Sequence, residues 1–223
     1  MQVEIWSDVV CPWCYVGSAR FAKALAAFEH HAGVRVVHRS YELDPEASAA
    51  GVDVLTVLAQ KYGVSREEAA RREVGVAEAA HGEGLPYDGG SADAPGRRHG
   101  STRDVHRLLH LAGDLGVRED LTDGLMRAHF GGEAATLGEG GIFDREVLLD
   151  LVSRHGVPRR RAEEVLDSEA YLVDVRADQQ LARDLGITAV PTFVLNRRFG
   201  VSGAHPPEAL LQAMEKAWRL PEC

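Results

Sequence analysis

Two cysteines separated by two residues, Cys11-Pro12-Trp13-Cys14, are the part of this chain whose spacing promises chemistry. Two intervening residues let the sulfurs close a small disulfide ring without unwinding a helical turn, and both side chains then share one helix face. A short β-like run, Gln2 to Trp6, precedes the motif, and a helical pattern opens near Tyr15. The pair is therefore predicted at a helix N-terminus. There, backbone N–H groups and the positive end of the helix dipole stabilise a thiolate, the nucleophilic form of cysteine. Cys11, the outer residue, is expected to attack, and Cys14, lying deeper, to resolve. Pro12 suits the first helical turn because its fixed φ and missing N–H cost little there. Trp13 has two readings, an apolar contact for a substrate peptide or simple packing against a helical neighbour.

A C-x-x-C pair is also half of a zinc site, which needs two more ligands. No second C-x-x-C or H-x-x-x-H module stands at finger or ribbon spacing, and Cys223 is the last residue, read as a tail thiol. His106 and His110 are four apart, but Arg107-Leu108-Leu109 between them is not the H-E-x-x-H of a metalloprotease. No metal is expected. His106 either borders the active site and tunes the Cys11 thiolate or is a histidine at a domain interface, and the sequence leaves both open.

A second signal lies far away in sequence, at Ala189-Val190-Pro191-Thr192, just before a strand-like run. Proline in that place either starts the strand or forms a cis X-Pro turn. If it is cis and faces the Cys11 helix, the backbone of Val190 offers an edge on which an extended peptide pairs. The N-terminal C-x-x-C tilts the choice toward this second use.

The elements that must position these groups follow from periodicity. Phe21, Leu25 and Phe28 form an apolar helical stripe that Gly33 is expected to stop, and Val34 to Leu43 reads as a strand ending at Asp44-Pro45. This is a βαβ unit with parallel, adjacent strands. From about Val52 to Leu185 the pattern is helix after helix, with no strand expected. Within it Val105, Leu108, Leu109, Ala112 and Leu115 share a face, Arg66 and Arg159 open charged helices, and Gly82 to Gly100 reads as a long loop. Thr192 to Leu195 and Phe199 to Val201 make a hairpin, and Pro206-Pro207 opens a closing helix with Leu210, Met214 and Trp218 on one face. Trp6 and Trp218 are expected in the core. The order is β-α-β, a helical insertion, then α-β-β-α. The fold class is α/β, with one discontinuous domain at 1–45 and 186–223 and a helical insertion at 46–185.

With 223 residues and 45% hydrophobic content the chain can bury a substantial core. A formal net charge of −9 gives no basic footprint for nucleic acid or an anionic membrane surface, so neither partner is expected. Three cysteines do not make a disulfide scaffold. Met1-Gln2-Val3-Glu4-Ile5 runs straight into strand-like sequence with no signal-peptide pattern, and no apolar run spans a bilayer, so a cytoplasmic location is expected. The clusters Gly131-Gly132 and Gly138 to Gly141 match no phosphate-binding pattern. Nothing in the sequence indicates an oligomeric state.

C-P-W-C after the first strand, a helical insertion and V-P-T before a hairpin resemble the DsbA family of the thioredoxin superfamily over nearly the whole chain. More narrowly, S-D-V-V-C-P-W-C-Y-V-G at 7–17, Y-E-L-D-P at 41–45, H-R-L-L-H-L-A at 106–112 and V-S-G-A at 201–204 resemble its FrnE-like subgroup, cytoplasmic relatives of which some are associated with polyketide gene clusters. Ser101 and His205 depart from the subgroup's usual asparagine and glutamine. The resemblance implies a thioredoxin fold interrupted by a helical domain, a nucleophilic Cys11, a resolving Cys14 and a cis Pro191 facing them; Pro12, Trp13, Val190 and His106, read from the residues themselves, are the candidate substrate-binding positions. The resemblance also implies thiol-disulfide exchange with a protein or small-molecule thiol or disulfide. No cofactor is expected beyond the redox-active pair, with a low-molecular-weight thiol as possible reductant. Two alternatives share the fold. One is a glutathione-dependent transferase or isomerase of the kappa or 2-hydroxychromene-2-carboxylate type, which generally has serine where Cys11 stands. The other is a non-enzymatic binder of unfolded chains.

Overall fold

The structure is a computed structural model that describes residues 1–49, 51–88, 97–131, 137, 138 and 140–220. Along the chain run β1 (Gln2–Ser7), α1 (Pro12–Ala27), β2 (Arg35–Ser40), β3 (Val52–Asp53), α2 (Val54–Tyr62), α3 (Arg66–Gly82), β4 (Arg98–His99), α4 (Arg103–Asp114) and α5 (Arg118–Phe130). Then follow α6 (Arg145–Arg154), α7 (Arg159–Leu166), α8 (Leu172–Asp184), β5 (Thr192–Leu195), β6 (Phe199–Ser202) and α9 (Pro207–Arg219). Two compact units result, Met1–Tyr41 with Ala177–Cys223, and Glu42–Arg176. The second division falls inside α8, nine residues earlier than sequence periodicity suggests, because Asp178 and Ala182 of that helix are anchored on the sheet.

The first unit is a four-stranded sheet in the order β2-β1-β5-β6. β1 pairs parallel with β2, Val3 opposite Val36, and antiparallel with β5, Ile5 opposite Phe193. β5 and β6 form the hairpin. Strand alternation sorts β1 into two faces. Val3 and Ile5 join Phe21 and Phe28 of α1, Phe193 and Leu195 of β5, and Leu210 and Met214 of α9 in one core. Trp6 packs with Val194 and with Ala182 of α8 on the other. Glu4, also fully buried, is held there by Arg39 at 2.6 Å and Arg197 at 3.0 Å. Asp178 fastens α8 to the sheet, accepting from Arg39 Nη1 and the Ser40 amide, both at 2.9 Å, while its carbonyl accepts from Trp6 Nε1 at 3.0 Å.

The second unit is helical, with Leu55, Leu108, Leu111, Leu121, Leu125 and Phe130 among its fully buried side chains. Contrary to expectation it also contains a strand pair, with Val52 opposite His99 and Asp53 opposite Arg98. Two-residue strands are too short for any alternation to register in the sequence. Asp53 ends β3 and caps α2, accepting from the Thr56 amide at 2.9 Å and pairing with Arg66.

Other boundaries also move. α1 begins at Pro12 rather than near Tyr15 and ends at Ala27, before a 3-10 turn at His31–Gly33. β2 stops at Ser40, short of Leu43. The expected loop at 82–100 contains β4, with residues 89–96 outside the described ones. Gly132 also lies outside them, while Gly141 opens a 3-10 turn, Gly141–Phe143. Leu115 caps α4 and is exposed instead of joining its apolar face. Trp218 is 37% exposed because it covers the end of α1 from outside, stacked on His30 at 4.7 Å and edge-on to Phe28.

Candidate active site

Cys11 is the N-cap of α1, in extended conformation (φ −85°, ψ 113°), and Pro12 occupies the first turn. No side chain caps this helix end and no acidic residue lies in its first turn. The positive end of the helix is therefore directed at the cysteine and not spent on a carboxylate or hydroxyl. The Cys11 amide donates to Asp8 O at 3.1 Å, and Cys11 O accepts from the Cys14 amide at 3.0 Å, which folds the motif into the turn that begins the helix.

Both cysteines are free thiols. Cys11 is 5% exposed and Cys14 fully buried, so the outer sulfur is the accessible one. Burial pushes the Cys14 thiol well above its usual range, and hydrogen bonding and charge from Cys11 push it further, against a hydrogen bond from the Asp8 backbone. The charge of Asp8, itself buried, acts in the same upward direction.

The Val190-Pro191 peptide bond is cis. Cys11 Sγ lies 3.6 Å from Val190 O, a sulfur hydrogen bond bridging residues from opposite ends of the chain. Pro191 O accepts from the Gly203 amide at 2.7 Å, and Thr192 Oγ1 donates to Ala189 O at 2.7 Å, fixing the turn on both sides. Trp13, at 43% exposure, projects outward from the motif, and Pro12 is half-buried. Thus Cys11, Pro12, Trp13, Cys14, Val190 and Pro191 all belong to the first unit, with Cys11 and Val190 in contact. His106 belongs to the second unit, where it is buried on α4. Among the described residues no group of three or more His, Cys, Asp or Glu side chains is arranged to hold a metal ion. Cys223 lies outside the described residues.

Sequence reasoning passed over Asp8, Gly17 and Arg20. Arg20 Nη1 donates to Ala204 O at 2.6 Å, tying α1 to the turn that follows β6. The signal for Gly17 was available, since a glycine inside a helix is disfavoured and implies a close approach. Asp8 stands in the run at 7–17 that carries the family resemblance, but that run gave it no role of its own.

A family model of the DSBA-like thioredoxin domain matches residues 2–215. The chain belongs to the DsbA family. A probable DsbA oxidoreductase from Streptomyces coelicolor is 47% identical, with 99% of this chain and 92% of that one covered and a TM-score of 0.90. Two more distant structures share the DsbA-family fold at 18% identity. One is a 2-hydroxychromene-2-carboxylate isomerase (TM-score 0.70, 98% and 97% covered). The other is the cytosolic disulfide reductase DsbM from Pseudomonas aeruginosa with glutathione (TM-score 0.67, 99% and 100% covered). No curated protein matches the chain. Family membership and the oxidoreductase relatives support redox or related enzymatic activity. Among the described residues no helix is long and apolar enough to cross a membrane.

Proposed function

We propose that the protein is a thiol-disulfide oxidoreductase acting through a mixed disulfide on Cys11. The observation that carries this reading is Cys11 at an uncapped helix N-terminus, over a fully buried Cys14 and 3.6 Å from the backbone carbonyl of Val190. In the reducing direction the Cys11 thiolate attacks one sulfur of a substrate disulfide, and the other sulfur leaves as a thiolate that takes a proton. Cys14 then loses its proton and attacks the Cys11 sulfur. The second substrate thiolate leaves, and a Cys11–Cys14 bond remains. Two electrons have passed from the protein dithiol to the substrate, and the reverse sequence oxidises a substrate dithiol. The raised Cys14 thiol suits the order of events, because the resolving sulfur stays protonated until the mixed disulfide has removed the Cys11 charge. Val190 and Pro191 would hold an extended substrate backbone beside Cys11, with Trp13 as an apolar contact. A low-molecular-weight thiol as reductant is in keeping with the glutathione-bound DsbM structure. The motifs at 7–17, 41–45, 106–112 and 201–204 support placing the protein in the FrnE-like subgroup.

The test is a Cys14→Ser variant incubated with a peptide disulfide. A stable covalent adduct on Cys11 is expected by mass spectrometry, absent in Cys11→Ser. Equilibration of the native pair in glutathione buffers then sets the direction, a potential near about −120 mV marking an oxidant and one near about −270 mV a reductase. A protein that forms no adduct and shows no reversible couple is not an oxidoreductase of this kind.

A further inference from the structure

Glycine inside a helix is destabilising relative to alanine, so a helix-internal glycine calls for a physical reason. Gly17 is buried within α1, three residues after Cys14. A methyl group built on its Cα would stand 2.7 Å from Pro191 Cγ and 3.5 Å from both Pro191 Cβ and Ala204 Cβ. The Pro191 ring occupies the place that any side chain at 17 would take. On its other side Pro191 O is held by the Gly203 amide at 2.7 Å, and Arg20, three residues further along α1, holds Ala204 O at 2.6 Å. The ring is thus seated between α1 and the turn at 203–204. Its neighbour Val190 presents its carbonyl to Cys11 Sγ from that seat.

We propose that Gly17 is a positioning residue for the cysteine chemistry: its missing side chain lets Pro191 seat against α1 and so sets the approach of the Val190 backbone to Cys11. The inference rests on the oxidoreductase reading above. Gly33 provides a control for glycine replacement in the same unit, away from Pro191. A methyl there would stand 2.8 Å from Trp218 Cη2, a similar nearest approach, but the contact is with the end of a partly exposed indole and not with Pro191.

The experiment compares Gly17→Ala, Gly33→Ala, Pro191→Ala and the Gly17→Ala/Pro191→Ala double variant for thermal stability and for kcat/KM of Cys11 attack on a peptide disulfide. Gly17→Ala is expected to lower kcat/KM by about ten- to a hundredfold, as displacements near 1 Å do at reacting centres. Gly33→Ala should leave kcat/KM unchanged. In the Pro191→Ala background, where the ring is gone, adding Gly17→Ala should cost little more, a non-additivity that marks direct coupling. Arg20→Met loosens the same seat without crowding and should lower kcat/KM by about two- to tenfold, which keeps the proposal testable if Gly17→Ala does not fold. A reactive wild-type protein whose Gly17→Ala variant matches it overturns the proposal. So does an equal fall in Gly33→Ala, or a full further loss in the double variant. Wild-type protein inert toward the disulfide overturns the oxidoreductase reading itself, and this inference with it.

Discussion

Two helix ends, one in each unit, are treated in opposite ways. In the first, the N-terminus of α1 has no side-chain cap, and its field is directed at Cys11. In the second, the C-terminal turn of α7 and the chain beyond it are saturated by one buried arginine. Arg107 of α4 donates to the carbonyls of Val165 and Ser168 and, through Nε, to Ala170 O at 2.8 Å, with Asp104 balancing its charge at 2.7 Å. A helix end completed by a side chain is structural, because its polar groups are satisfied and inert. A helix end without such a side chain keeps its electrostatic potential, as the N-terminus of α7 also does, but at α1 the N-cap position is a cysteine.

The most direct way to break this comparison is to remove the arginine. Arg107→Met keeps much of the volume but takes the guanidinium from the Ser168 and Ala170 carbonyls, while Val165 O keeps the Ser168 amide and hydroxyl. A loss of about 1–3 kcal/mol is expected in denaturant unfolding, since the arginine is buried while Asp104, Ser168 and Ala170 are exposed. The potential of the Cys11/Cys14 couple should stay where it was. A variant as stable as wild type would show that water or neighbouring groups replace the guanidinium and that α7 does not depend on it.

Acid separates the units next. Burial first, and then the charges of Arg97 and His99, hold His129 well below the usual histidine value of 6.5. It is neutral in the folded protein. A group whose folded pKa is depressed contributes stability that is complete above its unfolded value and is lost as pH falls below it. The second unit is therefore expected to weaken from about pH 6.5 downward, with a slope of at most about 1.4 kcal/mol per pH unit for one proton. In the first unit Glu4 is raised by burial but lowered more by Arg197 and Arg39, and its net shift is below the usual 4.5. The same sign applies, so its contribution persists to more acid pH and is lost only below about 4.5. Unfolding followed by hydrogen exchange from pH 7 to 4 should show the second unit opening first. His129→Leu, apolar and of similar reach, should flatten that limb. An unchanged pH profile in His129→Leu would place the acid sensitivity elsewhere.

The same contrast explains what the sequence disclosed. The chemistry proposed for the first unit rests on short-range patterns, C-P-W-C between a strand and a helix and V-P-T before a hairpin, and these are legible because each is a few residues with its own local signature. The sheet order follows from the βαβ rule and the hairpin. What escaped notice depends on partners far along the chain. Arg107 sits within the H-R-L-L-H-L-A run, where helical periodicity sends a charged residue to solvent, yet it is buried because the acceptors that justify burying it come from residues 165–170. Asp178 looks like any acidic residue on α8 until Ser40 and Arg39 are brought to it. β3 and β4 exist only as each other's partner. Gly17 closes the run at 7–17, yet the trace it left as a glycine inside a helix went unused.

Trp13 offers the finest discrimination between a structural and a functional side chain. An exposed residue away from caps and networks changes stability little when truncated, within about 0.5 kcal/mol. Trp6, fully buried and hydrogen-bonded to Asp178 O, is its opposite in the same unit. If Trp13 serves as an apolar contact for substrate, Trp13→Ala should leave the unfolding midpoint in place while weakening reaction with a peptide disulfide by roughly 0.5–1.5 kcal/mol, a few-fold to about tenfold in KM. Reaction with a small disulfide too short to reach the indole should be unchanged. The two substrates must be compared on one protein preparation, because a change in Cys11 reactivity would slow both alike. Equal slowing would assign Trp13 to the electrostatics of the cysteine pair, and loss of stability would assign it to packing. A fall confined to the peptide requires that substrate backbone and side chains extend across the motif, which is the geometry expected if Val190 accepts an extended strand beside Cys11.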